Sequence, residues 1–394
     1  MFAKTEFFIH ELNTTRENYK IWSARRFNRE EFRELTPESR LAYLALCGHL
    51  APNTHNTQPW QFALHPQENT LEVVLDRRSV LPVSDGMGRQ AAVSVGCAIG
   101  NIITASKYFG IHPEVNISEV DPNEVKPLGD TDENPHVVVA RIGLNKEISG
   151  EPLGREYLDA IFERRSHRGI YQKKVIPEKV YEKVKQIGLD HGVSFHLLSR
   201  SSISEWGKRI ALAEAQAQAD SYVINDEKFR AELSHWFLPN DTESKVGMPG
   251  NTFGLGDNDS REISDKLKGE RMKIDDIVGF VQGGKKGIES AALVGILSVK
   301  NNIPQEWVLV GVALEEVILY LQTHGISSAF HAGLAEADNV LGIRLVSRGL
   351  ELIFPIKGEY PMILFRAGYS EDKRPHAPRK MMESVILASP TFSR

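Results

Sequence analysis

Three stretches of the chain carry residue types whose spacing suits ligand chemistry. The first is Ala51-Pro52-Asn53-Thr54-His55-Asn56-Thr57-Gln58-Pro59-Trp60-Gln61-Phe62, a loop rich in amides and hydroxyls, pinned by two prolines and entering a strand near Trp60. Side-chain amides present donors and acceptors together, which suits the alternating edge of a pyrimidine-like ring. The same composition also makes a self-capping helix-to-strand turn. The second is Arg164-Arg165-Ser166-His167-Arg168, after a short predicted helix that begins near Pro152. Guanidinium forks beside a hydroxyl suit a phosphate or an anionic ring edge, and they also suit a solvated basic helix end. The third, Pro378-Arg379-Lys380, reads by itself as a basic C-terminal segment. The two cysteines, Cys47 and Cys97, are too few for a zinc cage or a disulfide framework, so no metal site is expected.

The elements that position these stretches show an internal repeat. Val95-Gly96-Cys97-Ala98-Ile99 runs on to Gly110-Ile111, and Val310-Gly311-Val312-Ala313-Leu314 runs on to Gly325-Ile326, at one constant offset without a gap. Both segments are apolar nearly all round and read as buried helices, with Gly110 and Gly325 as left-handed caps. Ala24-Arg25-Arg26-Phe27-Asn28-Arg29 resembles Glu163-Arg164-Arg165-Ser166-His167-Arg168, and Ala140-Arg141-Ile142-Gly143-Leu144 resembles Phe365-Arg366-Ala367-Gly368-Tyr369. Three matches in one order predict two related halves.

Strands are expected at Leu71–Leu75, His136–Arg141, Val193–Leu198, Ala292–Val299 and Pro361–Arg366, among helices, which predicts an α+β sandwich. Neither a dinucleotide-binding GxGxxG nor a P-loop is present. The expected organisation is an N-terminal extension over 1–20, a first half over 21–150 and a second half over 151–394. The second half carries a Gly- and Asp-rich insertion over 240–287, either a mobile surface excursion or a lid over a site. The net charge of -5 gives no global field for nucleic acid or anionic membranes. No stretch is long and apolar enough to span a bilayer, and a cytoplasmic, reduced protein is expected.

Taken together, the loop at 51–60, the Arg164–Arg168 segment and the basic C-terminal segment resemble the nitroreductase family, over nearly the whole chain beyond the first 20 or so residues. Ala51–Trp60 is similar to that family's APSxxNxQPW motif, with Asn53 in place of Ser. Arg164–Arg168 is similar to its RRSxR motif. The resemblance implies a nitroreductase-like α/β/α sandwich, with two homologous halves forming an intrachain pseudo-dimer and FMN at their interface. The first half keeps the loop, but its RRSxR copy has become Arg25-Arg26-Phe27-Asn28-Arg29; the second half keeps Arg164–Arg168 but has no such loop. One composite site and one degenerate site are therefore expected.

Carried over residue by residue, Arg164, Arg165, Ser166 and Arg168 hold the phosphate, ribityl chain and pyrimidine end, while Pro52, Asn53, Thr54 and Asn56 meet the ring. Gly333 is the candidate for the backbone N–H facing flavin N5, although Ala332 departs from the acidic residue usual before it. Arg379 is similar to the family's phosphate-binding arginine. His331 is a candidate proton donor, although a lone loop histidine is more often structural. The implied activity is hydride transfer from NAD(P)H to an electron-poor acceptor such as a nitroaromatic or quinone. The alternative is an FMN store whose insertion covers the ring. A monomeric pseudo-dimer or a homodimer suits either.

Overall fold

A computed structural model of the chain describes residues 16–130, 132–269, 274–331, 333–334 and 349–387. Most of the expected 1–20 extension, and Ala332, lie outside the described residues. The first part runs α1 (Arg29–Glu34), α2 (Pro37–His49), β1 (Trp60–His65), β2 (Thr70–Asp76), α3 (Arg89–Tyr108), β3 (Ile111–Ile117) and β4 (His136–Glu147). The second begins with α4 (Arg155–Glu163), α5 (Glu178–Asp190) and β5 (Ser194–Ser199). It continues through α6 (Trp206–Asn225), α7 (Glu227–Trp236), β6 (Phe237–Leu238), β7 (Met248–Pro249), α8 (Asp257–Gly269) and α9 (Ile274–Ser290). It closes with β8 (Leu293–Val299), α10 (Pro304–Thr323), β9 (Ser327–His331) and β10 (Tyr360–Gly368).

The long strands form two four-stranded sheets, ordered β1-β2-β4-β3 and β5-β8-β10-β9. Every neighbouring pair in both sheets is antiparallel. The two orders are the same when strands are taken in chain sequence, and α3 and α10 occupy the same place in each. Gly110 and Gly325 follow these helices with φ of 80° and 67°, the left-handed geometry that a helix stop at glycine uses.

The helices α3 and α10 meet with their backbones nearly touching. A Cβ on Gly96 would lie 2.1 Å from the Val308 carbonyl oxygen, and one on Gly311 would lie 2.0 Å from that of Val93. Val93 and Val308 stand at the same offset as Gly96 and Gly311. The contact is therefore self-complementary, as a two-fold crossing requires. Buried residues of both parts, Val95 and Ile99 from α3 with Val310 and Leu314 from α10, belong to one apolar core.

The sheets differ in how they are covered. Along β8, Leu293 and Leu297 point into that shared core, while Val294 and Ile296 point into a second core built from α6, α7 and neighbouring segments. Both faces of the second sheet are dry, so β8 reads as an unbroken apolar run, Leu-Val-Gly-Ile-Leu-Ser-Val. The connections show where the second core comes from. Residues 66–69 join β1 to β2, whereas residues 200–292 join β5 to β8 and carry α6 through α9. The expected insertion at 240–287 lies inside this longer connection. Glycine content suggested loose chain there, but Gly279, Gly283, Gly284 and Gly287 sit within α9. Two of them have a packing reason: a Cβ on Gly284 would approach Asp220, and one on Gly287 would overlap the Arg366 guanidinium.

Candidate functional site

The turn after α2 is held in an uncommon backbone conformation. His55, Asn56 and Gln58 have φ of 48°, 55° and 54°, which costs non-glycine residues free energy and persists only where neighbours impose it. The neighbours come from the 245–247 stretch and from the C-terminal segment. Asn56 Nδ2 donates to the carbonyls of Gly247 and Pro378 at 2.9 and 2.8 Å, and Gln58 Nε2 donates to Lys245 O at 2.7 Å. Asn53 Oδ1 accepts from the Gln58 backbone N–H at 2.8 Å. Buried His49 is fixed as a neutral tautomer: Nδ1 accepts from Trp60 Nε1 at 2.8 Å, so Nε2 carries the proton and donates to Lys380 O at 2.8 Å. Burial, with Arg379 and Lys380 nearby, lowers its pKa to about 3.

Arg164 through Arg168 leave the end of α4 and face this turn. Pro52, Asn53 and Asn56 from the turn, Arg164, Arg165, Ser166 and Arg168 from that segment, and Arg379 from the C-terminal segment line one cleft. The cleft has about 470 Å³ of empty volume, its open mouth included. Thr54 lines a neighbouring cavity on the far side of Pro52, with Ser94, Cys97, Leu314, Phe330 and Met362.

The cleft is cationic and short of counter-charge. Arg168 is half-buried, its Cζ 4.4 Å from the Phe253 ring centroid, and no carboxylate faces it among the described residues. Burial and the surrounding Arg366, Arg164 and Arg374 lower its pKa to about 10, which leaves it charged at neutral pH. Arg164 is buried; Nη2 donates to Leu50 O at 2.8 Å, and Nε lies 3.8 Å from a carboxylate oxygen of fully buried Glu315. Arg165 Nη1 donates to Glu163 O at 2.8 Å, and its Nε lacks a hydrogen-bond partner. Ser166 bridges to Ser328 at the start of β9.

Arg379 is committed differently. Its Nε donates to His49 O at 3.1 Å, Nη2 to Ala51 O at 2.9 Å, and Nη1 to Pro378 O at 3.1 Å and to Asn56 Oδ1. A buried guanidinium saturated by the turn's own acceptors acts first as a clamp on that turn. Arg379→Ala is therefore expected to release the strained turn and to weaken FMN and riboflavin about equally. Fluorescence titration with both ligands checks this, and a loss confined to FMN would return Arg379 to the phosphate.

Several cleft residues had no sequence signal. Trp22, Met248, Thr252 and His376 all line it. Trp22 stacks on His376 with ring centroids 3.9 Å apart and 6° between planes. Burial, then Arg165, Arg164 and Arg379, pushes His376 down to about 2, so the stacked imidazole is neutral. These side chains arrive from three separate segments, and none sits in a motif.

His331 and Gly333 lie outside the lining of both cavities. His331 ends β9, and burial with Arg366 and Arg168 holds its pKa well below the usual histidine value. A proton donor there would have to start from the neutral ring. A Cβ on Gly333 would lie 2.2 Å from Gln216 Nε2 and 2.5 Å from Asp220 Oδ1, both on α6. The long connection thus packs directly on Gly333.

No family model matches the chain. Two uncharacterized proteins from strains of Mycobacterium tuberculosis are each 22% identical to it over 349 residues, covering 85% of this chain and 89% of theirs. Among solved structures, the FMN- and NADPH-dependent nitroreductase NfnB from sphigopyxis sp. strain HMH is 16% identical, covering 59% of this chain and 99% of that one, with a TM-score of 0.37. The FMN-dependent nitroreductase NfnB from Mycobacterium smegmatis, in complex with NADPH, gives 16% identity, coverage of 61% and 99%, and a TM-score of 0.37. A nitroreductase with bound FMN from Desulfitobacterium hafniense DCB-2 gives 13%, 60% and 100%, and 0.35.

Proposed function

We propose that the chain is an FMN-dependent NAD(P)H oxidoreductase of nitroreductase-like type, built from two homologous halves with one composite site between them. The observation that carries this is the cleft itself. It joins the Pro52–Asn56 turn of the first half to Arg164, Ser166 and Arg168 of the second, and it holds Arg168, which no carboxylate faces among the described residues. A half-buried cation without a counter-ion favours an anion beside it, and a flavin phosphate is such an anion. The matching sheet orders and the self-complementary α3–α10 crossing support the duplicated architecture.

FMN bound here would accept a hydride from NAD(P)H and pass it to an electron-poor acceptor. The chain's own part is binding and orientation. Arg164, Arg165 and Arg168 offer donors toward a phosphate, Ser166 offers a hydroxyl, and the 51–58 turn supplies a wall. The amides of Asn53 and Asn56 are engaged with backbone groups and the Arg379 guanidinium, so they shape the turn.

The decayed copy is neutralised. Arg25 pairs with Glu31, Arg26 with Asp159 and Glu163, and Arg29 donates to the carbonyls of Tyr108 and Leu153. One FMN per chain is therefore expected, measured as flavin released by denaturation per mole of chain. Two equivalents would show that the Arg25–Arg29 side is intact.

One observation favours an FMN store instead. Segment 240–253 forms part of the cleft wall through Met248 and Thr252, and it is tied down by Asn18, whose Nδ2 donates to Thr242 O and Ser244 O at 3.1 and 2.9 Å. Mixing the protein with NADPH or NADH separates the readings. Bleaching of the flavin within seconds, reversed by a quinone, supports turnover. Colour that persists with both nicotinamides makes the store the better reading.

A further inference from the structure

The α3–α10 crossing is symmetric in its glycines and asymmetric one turn further on. At the offset that relates Gly96 to Gly311, Glu315 corresponds to Gly100. The two face each other: a Cβ on Gly100 would lie 2.9 Å from the Glu315 Cβ. Gly100 therefore opens the space that Glu315 fills. That space is dry. Glu315 is fully buried, and neither of its carboxylate oxygens has a hydrogen-bond partner. Its nearest counter-charge is Arg164 Nε at 3.8 Å, which also has no hydrogen-bond partner. Arg164 lines the cleft, so Glu315 sits directly behind a cleft arginine. In the decayed copy, Gly100 stands where a carboxylate would be, and Arg25 turns to surface Glu31.

We propose that Glu315 is a positioning residue that takes up a proton when a phosphate-bearing ligand engages Arg164. The proposal rests on the FMN reading of the cleft. A phosphate dianion on the outer side of Arg164 competes with the inner carboxylate for one guanidinium. It also repels that carboxylate through a low-dielectric interior. Accepting one proton from solvent removes the repulsion. The ligand keeps its charge, and no covalent bond changes. The charged and titratable groups facing Glu315 are Arg164 from the end of α4, Arg379 from the C-terminal segment and Cys97 from α3. The two arginines stay cationic, and burial raises the Cys97 thiol well above its ordinary value, leaving Glu315 as the group that titrates. Burial already pushes Glu315 up to about 7, against the pull of Arg164 and Arg379.

The test is calorimetric titration of FMN into the full-length apoprotein at pH 8, in buffers of different ionisation enthalpy. Near that pH the carboxylate starts mostly ionised, so about 0.9 proton per FMN is expected to be absorbed. Affinity for FMN is then expected to fall about tenfold from pH 8 to pH 9. Riboflavin, which lacks the phosphate, is expected to bind with an uptake near zero. Glu315→Gln is expected to bind FMN with no buffer dependence. The wild-type comparison of FMN with riboflavin decides the matter even if that variant folds poorly. FMN binding with no proton uptake overturns the role of Glu315, as does uptake that persists in the Gln variant. Absence of FMN binding overturns the reading of the cleft, and the inference with it.

Discussion

Gly96→Ala and Gly311→Ala are each expected to destabilise the protein by about 2 kcal/mol or more, the opposite sign to what helix propensity predicts. In the middle of a helix, alanine is better than glycine by about 1 kcal/mol. At these two positions the new methyl group meets a backbone carbonyl at 2.1 or 2.0 Å, far inside contact distance. A carbonyl on the facing helix cannot rotate away, so the helices must separate along their length. Overpacking of this kind typically costs about 1–3 kcal/mol and occasionally more, and here it opens the core shared by the two sheets. The double variant is expected to cost less than the sum of the singles, because one separation admits both methyl groups. Urea denaturation checks this. Gly150→Ala, where nothing lies within 4 Å of the new Cβ, serves as the control. Singles that are neutral or more stable than wild type would show that the helices cross elsewhere.

Arg168→Ala and Arg164→Ala are expected to separate binding from stability. Arg168 has Arg366, Arg164 and Arg374 around it and, among the described residues, no facing carboxylate. Its removal relieves like-charge repulsion and is expected to leave thermal stability unchanged or slightly higher. The loss falls on ligand binding. One charge-assisted contact is worth about 1.5–3 kcal/mol, or roughly tenfold to a hundredfold in Kd for FMN, with riboflavin much less affected. Equal losses for the two ligands would take Arg168 off the phosphate.

Arg164→Ala strands Glu315 without its partner, and breaking a buried pair by removing one member costs about 3–5 kcal/mol. The sign with pH follows from the raised carboxylate. Its folded-state pKa, about 7 with Arg164 present, rises further without that arginine. The folded state then favours the protonated acid, so the variant's stability is greatest at low pH. It is lost as pH rises from the unfolded carboxylate value through 7 and beyond. Denaturation midpoints at pH 6 and pH 8 should therefore differ more for Arg164→Ala than for the wild type, and Glu315→Gln in the same chain should remove most of that difference.

Local chemistry decided much of the architecture. The strands at 71–75 and 292–299 were legible from residue type, and so were the two apolar helices with their Gly110 and Gly325 stops. Those signals depend on periodicity and on backbone rules acting within a few residues. The Gly96–Gly311 repeat was also legible, and in the structure those two glycines are where the two helices cross. In the site, the 51–60 turn and Arg164–Arg168 were visible as motifs, and the structure brings them to one cleft.

Other features had no local signature. Trp22, Met248 and His376 enter the cleft from segments far apart in the chain. The glycines of α9 suggested loose chain, because a sequence shows the entropy cost of glycine and not the Arg366 and Asp220 side chains that need the space. Arg379 read as a basic C-terminal residue and, through the resemblance, as a phosphate-binding arginine, because its acceptors, carbonyls at His49 and Ala51, lie more than 300 positions away. The roles of Arg379 and Glu315 depend on which opposite charge or carbonyl lies within a few ångströms. Burial strengthens such interactions and makes an unmet group expensive. Residue order along the chain determines the elements, but only their packing decides which buried cation is satisfied and which is left for a ligand.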